Sequence, residues 1–164
     1  MKITNPVFKA ANCLIKHALS KEVNKLRSIY GPRSEFHSSA TISSMACVKE
    51  LNTIKVCGTR RCGHTSAIIP LIDKFFKNKV IIIFYKQSME KRFQDNFLKE
   101  YPNKDNIITA TVNYLDKLRG TDDVDAIFVD TSSLLSHSTI DKITLDIAGP
   151  NFYVNRNMLL IFLE

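Results

Sequence analysis

The sequence has no apolar stretch near the ~20 residues that a helix needs to cross a bilayer. Its longest runs, residues 80–85 and 158–163, are six residues each, so no membrane span is expected. Residues 1–11 lack the apolar core and small-residue cleavage site of a signal peptide. Glycine and proline are scarce, five of each in 164 residues, and no segment is repeated or of low complexity. Collagen-like and disordered architectures are therefore excluded. Cysteine is also sparse. Cys13, Cys47, Cys57 and Cys62 include no C-x2-C pair, and the nearest two are spaced C-x4-C. A metal site combining them with His37 or His64 would fit no standard ligand spacing. They read instead as free thiols packed as small apolar groups, in a reducing, intracellular setting. What is present is a chain that is 45% hydrophobic. At this length one core buries about two-thirds of the surface exposed when unfolded.

Acidic residues are few where basic ones gather. Residues 1–60 hold ten Lys and Arg against three Asp and Glu, residues 61–120 hold eleven against six, and residues 121–164 hold two against seven, for a net charge of +7. An asymmetry of this kind points to an anionic partner for the first two-thirds: phosphate, nucleotide or nucleic acid. For the scattered lysines a solvated surface is the plainer reading. Arg60 and Arg61 differ because they lie inside a glycine-bounded loop.

From about residue 42 onward, short β-branched runs alternate with segments of helical spacing, the pattern of a parallel sheet covered by helices. Strands are expected at 53–57, 79–85, 106–111, 125–130 and 158–163. They are apolar almost throughout, which predicts burial on both faces. Helices are expected between them. Residues 63–76 place Ile68, Ile69, Leu71, Ile72, Phe75 and Phe76 on one broad face, with Pro70 kinking or restarting the helix. Residues 88–100 start on Ser88 as N-cap, turn Met89, Phe93, Phe97 and Leu98 inward, and end before Pro102. A short helix at 112–118 closes on Gly120. Residues 138–148 carry Ser138 as cap, Ile140, Ile143, Leu145 and Ile147 inward, and Gly149-Pro150 as the stop. Residues 5–30 read as one or two helices with a lysine-rich face, Gly31-Pro32 as a turn, and 36–50 as another helical stretch. The expected fold is a three-layer α/β/α domain over 1–164, with a mainly parallel five-stranded core (51–164) and a helical N-terminal layer (1–50).

The loop between the first strand and the helix after it reads Gly58-Thr59-Arg60-Arg61-Cys62-Gly63-His64-Thr65-Ser66. In such a loop the backbone N–H groups point inward, glycines permit close approach, and the helix N-terminus adds a positive dipole. The bland alternative is a structural strand-to-helix turn that binds nothing. Against that, two adjacent arginines repel each other and the dipole unless an anion is present.

Strand, G-x4-G-H-T and helix resemble the phosphate-binding loop of P-loop NTPases, G-x4-G-K-[ST]. Gly58 and Gly63 take the glycine positions, His64 stands where the family has lysine, and Thr65 takes the hydroxyl position that holds Mg²⁺. Residues 126–130, AIFVD, resemble the family's second motif, an apolar strand ending in an aspartate, Asp130, that holds the ion through water. The resemblance spans about residues 51–164 and is nearest to helicase- and terminase-type ATPase domains. No N-K-x-D base-reading motif of G proteins occurs. It implies the P-loop fold, residues 58–66 as the phosphate cradle, and ATP or another nucleoside phosphate with Mg²⁺ as ligand.

The departures from the family pattern bear on activity. Histidine is charged only below a reference pKa of ~6.5, so phosphate binding is expected to weaken as pH rises, with Arg60 or Arg61 supplying a permanent cation. Thr131 stands where hydrolytic relatives carry a catalytic glutamate, and no acidic residue occurs between Thr131 and Thr139. Ser132, Ser133 and His137 are candidates to position a water. Glu164 closes the last strand at the edge where sites of open α/β folds gather, and is read as a frayed terminus. At most a weak ATPase is expected, linked to nucleic-acid handling, with a protein partner as one source of missing catalytic residues. The small size and altered motifs are in keeping with a viral source and a host-cell cytoplasmic location. The competing reading is a non-catalytic interaction protein whose basic surface grips DNA, RNA or an acidic protein. It is favoured by the charge and disfavoured by the lack of any aromatic-basic base-stacking pattern.

Overall fold

The computed structural model describes residues 17, 20, 21, 52–57, 64–99, 101–155 and 158–164. His17, Ser20 and Lys21 are helical. The other helical expectations within residues 1–50, the Gly31-Pro32 turn, and Cys13, His37 and Cys47 lie outside the described residues.

The apolar runs form one all-parallel sheet of β1 (Thr53–Val56), β2 (Lys79–Phe84), β3 (Ile107–Thr111), β4 (Val124–Asp130) and β5 (Leu159–Leu163). Each lies within one residue of its expected bounds. The order is β1-β5-β4-β2-β3, which places β5 between the strand before the glycine-bounded loop and the strand ending in Asp130. Val56 and Asp130 both pair with Leu163, and Phe84 pairs with Asp130 and Thr111, so all five strands end at one C-terminal edge.

Successive side chains of a strand point to opposite faces, and here each face has its own core. One holds Val80, Ile82, Phe84, Ala126, Phe128 and Ile161, covered by α1 (His64–Phe75) through Ala67, Ile68, Leu71 and Ile72. It is also covered by α2 (Gln87–Phe93), which continues as a π-helical turn over Gln94–Leu98, through Phe93 and Leu98. The other holds Ile81, Ile83, Ile127, Val129, Leu160 and Phe162. It is covered by a 3₁₀ segment (Val112–Leu118) and by a run of α3 (His137–Lys142), a π-helical turn (Ile143–Ala148) and α4 (Gly149–Val154). The described residues thus form three layers, α/β/α. Each fully buried aliphatic or aromatic side chain contributes about 1.5–3 kcal/mol.

Local details depart from expectation, each for a physical reason. Pro70 does not divide its helix: α1 runs through it as one element, with Pro70 on the exposed face. Ser88 is not the N-cap. The N–H groups of Met89 and Glu90 both bond to the Lys86 carbonyl, which starts α2 earlier. The later cap is Ser136 rather than Ser138, since its Oγ accepts from the Thr139 N–H at 3.2 Å. Gly149-Pro150 does not stop the chain. The Gly149 N–H closes a π-helical turn on the Thr144 carbonyl, and a Cβ at Gly149 would lie 3.3 Å from that oxygen. The turn lets Pro150 enter the first turn of α4, where a missing N–H is tolerated. Leu145 is 48% exposed rather than inward, while Ile143 and Ile147 are buried as expected. Gly120, with φ +80°, takes the left-handed position just past the 3₁₀ segment, as expected. The Tyr101 hydroxyl donates to Asp73, tying the chain after α2 to α1, and burial together with that carboxylate pushes the Tyr101 pKa up to about 12. No helix among the described residues is long and apolar enough to cross a membrane.

Candidate functional site

Alternation along β4 decides where Asp130 points. Ala126 and Phe128 face the core beneath α1, so Asp130, two residues on at the end of the strand, faces α1 as well. The second residue of α1 is Thr65, and its Oγ1 donates to Asp130 Oδ2 at 2.8 Å across 65 positions of sequence. Asp130 is only 3% exposed. A carboxylate this buried is tolerated when charge-assisted hydrogen bonds hold it. The two residues expected to hold a cation are thus brought into contact, with α1 presenting no acidic residue in its first turn.

A hydroxyl oxygen beside a carboxylate is a hard donor set that fits Mg²⁺, which keeps several waters and takes one or two carboxylates plus phosphate oxygens. Among the described residues no group of three or more His, Cys, Asp or Glu converges on a metal-sized point. A pair of this kind suits an ion whose remaining positions are filled by water and other oxygen ligands. Gly58, Thr59, Arg60, Arg61, Cys62 and Gly63 lie outside the described residues, as does the side chain of His64, whose backbone opens α1. Ser66 is half-buried in the first turn.

The water-positioning candidates fare differently. Ser132 is buried and its Oγ donates to the Leu163 carbonyl at 3.4 Å, so it ties the end of β4 to β5. Ser133 and His137 are exposed, Ser133 in a 3₁₀ turn (Ser132–Leu134) and His137 at the start of α3. Between Asp130 and that turn, Thr131 has φ 61° and ψ 41°, a left-handed conformation that a β-branched residue adopts at a cost. Thr131→Asn is expected to raise stability by about 1 kcal/mol, because asparagine enters this region more readily. Urea unfolding checks it, and no gain would mean that Thr131 side-chain contacts offset the strain.

One pair had no local signal in the sequence. The Cys57 Sγ, just past β1, donates to Glu164 Oε2 at 3.3 Å, and the Glu164 N–H donates to the Val56 carbonyl at 2.9 Å. Glu164 is therefore tethered rather than frayed. The hydrogen bond to its carboxylate, then the carboxylate's charge, raises the Cys57 thiol pKa and keeps the thiol protonated. Only the strand order, which sets β5 beside β1, could have revealed this contact across 107 positions.

The opposite, N-terminal edge carries a groove of about 480 Å³ lined by Lys77, Asn78, Asp123, Asp125 and Asn155. There the Asp125 carboxylate accepts from the Lys77 and Asn78 N–H groups and from both side-chain amides, of Asn78 and Asn155. These bonds serve the loops entering β2 and β5, and the groove lies away from the Thr65–Asp130 pair.

No protein-family model and no curated protein sequence matches this chain. Among solved structures, the ATPase domain of the large terminase of Thermus phage P74-26 is similar in fold. Its TM-score is 0.52 at 11% identity, over 80% of this chain and 68% of that one.

Proposed function

We propose that this chain binds a nucleoside triphosphate with Mg²⁺ at the C-terminal edge of its sheet, hydrolyses it slowly, and serves in nucleic-acid handling. The observation that carries the reading is the Thr65–Asp130 hydrogen bond, 2.8 Å, between a residue opening the helix after the glycine-bounded loop and a buried carboxylate two strands away. The fold's likeness to a terminase ATPase domain supports it. In this reading Gly58 and Gly63 let the loop close around the phosphates. Thr59, Cys62 and Ser66 offer backbone N–H groups, and Arg60, Arg61 and His64 supply positive charge. The Thr65 hydroxyl and the Asp130 carboxylate would hold the ion between them. Bound Mg²⁺ would neutralise charge on the β- and γ-phosphates. The excess of basic residues in the first two-thirds suits a polyanionic partner.

The test is calorimetric titration of ATP and ADP with Mg²⁺ in low salt at pH 6 and pH 8. Micromolar binding is expected, weaker at pH 8 because the reference pKa of histidine, ~6.5, lies between the two. It is expected to be lost in Gly63→Val and weakened about tenfold or more in Thr65→Ala. Salt-steep binding to DNA or RNA with no effect of nucleotide would instead support the non-catalytic interaction protein.

A further inference from the structure

In-line attack on a γ-phosphate needs a group that orients the water and takes its proton. The residue after Asp130 is Thr131, and the next acidic residue is Asp141, inside α3. Among the described residues at the strand tips themselves, the carboxylates are Asp130, engaged by Thr65, and Glu164.

The placement of Glu164 follows from register and alternation. Leu163 pairs with Asp130, so Glu164 lies one residue past the last paired position of β5 and β4. Leu160 and Phe162 face the core opposite α1, and alternation sets Glu164 on that same side. The strand that carries it runs between β1 and β4, so Glu164 lies between the ends of those two strands. Its N–H is bonded to the Val56 carbonyl and its Oε2 accepts from the Cys57 thiol, which holds one carboxylate oxygen and leaves the other outside that hydrogen bond.

We propose that Glu164 is the carboxylate that orients and deprotonates the attacking water, and that Cys57 positions it; this rests on the nucleotide-binding reading above. The water oxygen bonds to the γ-phosphorus while the bond from that phosphorus to the β–γ bridging oxygen breaks. The nucleoside diphosphate leaves with the electron pair, and the water proton passes to the Glu164 carboxylate and on to solvent.

Glu164→Gln, Cys57→Ala and Cys57→Ser test this in the full chain, through MgATP affinity, phosphate release, and mass-spectrometric alkylation of Cys57. Glu164→Gln is expected to keep affinity within about twofold and lose about 100-fold in turnover, the span of a general base. Cys57→Ala is expected to lose about tenfold in turnover, restored by Cys57→Ser, which keeps a donor. Cys57 alkylation is expected to speed up in Glu164→Gln, where no carboxylate holds the thiol protonated, and to slow in wild type when MgATP covers the edge. Binding without turnover in wild type, wild-type turnover in Glu164→Gln, or alkylation indifferent to MgATP would each overturn the role of Glu164 and leave nucleotide binding standing. Absence of binding in wild type would overturn both.

Discussion

Asp130→Asn is expected to weaken Mg²⁺-dependent nucleotide binding by about 10–100-fold, the usual cost of losing an outer-shell partner of a metal site, while leaving the fold in place. Asparagine has the shape of aspartate, and its carbonyl oxygen still accepts the hydrogen bond that Thr65 Oγ1 now gives to Asp130 Oδ2 at 2.8 Å. What is removed is the negative charge, at a residue only 3% exposed. A buried carboxylate carries a desolvation cost that a neutral amide does not, and this offsets part of what the lost charge contributed to its contacts. Stability should therefore stay within about 1 kcal/mol of wild type, a net effect typical of one hydrogen bond. Calorimetry with and without Mg²⁺ separates the terms: the variant loses the affinity that Mg²⁺ adds and keeps that of the metal-free nucleotide. Equal affinities of variant and wild type for MgATP would mean that Asp130 is structural and that the cation, if bound, is held elsewhere. The control Thr65→Ser keeps the hydroxyl and is expected to bind like wild type.

The layers of this fold were legible in the sequence because burial on two faces leaves a strong mark. Residues 79–85 and 158–163 hold almost no polar side chain, and β2 and β5, sandwiched between helices, are buried nearly throughout. The Thr65–Asp130 contact was legible for a related reason. A glycine-bounded loop between strand and helix and an aspartate ending an apolar strand are both local patterns, and a parallel sheet necessarily gathers strand ends at one edge. Helix ends were less legible. Ser88 and Ser138 carry side chains fit to cap, yet the helices begin earlier: Ser136 outcompetes Ser138 among several nearby serines and threonines, and α2 starts at Lys86 with no side-chain cap. Gly149-Pro150 misled for a different reason: the preceding π-helical turn shifts the hydrogen-bond pattern, so the missing proline N–H falls where none is needed. The Cys57–Glu164 pair left no trace in any local window, since it depends on β5 passing between β1 and β4.

The largest loss of stability is expected from Phe128→Ala, and it is expected to reach the site as well. Phe128 is fully buried at the centre of β4, and its ring meets that of Phe76 edge to face at a centroid distance of 6.0 Å and an interplanar angle of 83°. Truncation removes the transfer energy of the ring, the aromatic contact and the packing around both, for about 3–5 kcal/mol in sum. That is a large part of the 5–15 kcal/mol that a domain of about this size retains. In a chain of this length each kcal/mol moves the melting temperature by about 2–4 °C, so a fall near 10 °C is expected. The functional consequence follows from alternation. Phe128 lies two residues before Asp130 on the same face of the strand, beneath the helix that opens with His64 and Thr65. A cavity there lets α1 shift against β4 and loosens the contact between Thr65 and Asp130, so MgATP affinity should fall even at temperatures where the variant is folded. Phe128→Leu refills most of the volume and is expected to lose only about 1.5 kcal/mol, with affinity near wild type. If Phe128→Ala lost stability but bound MgATP as tightly as wild type, the packing beneath the strand and the geometry of its tip would be independent. The hydrogen bond from Thr65 would then hold the carboxylate without support from the core.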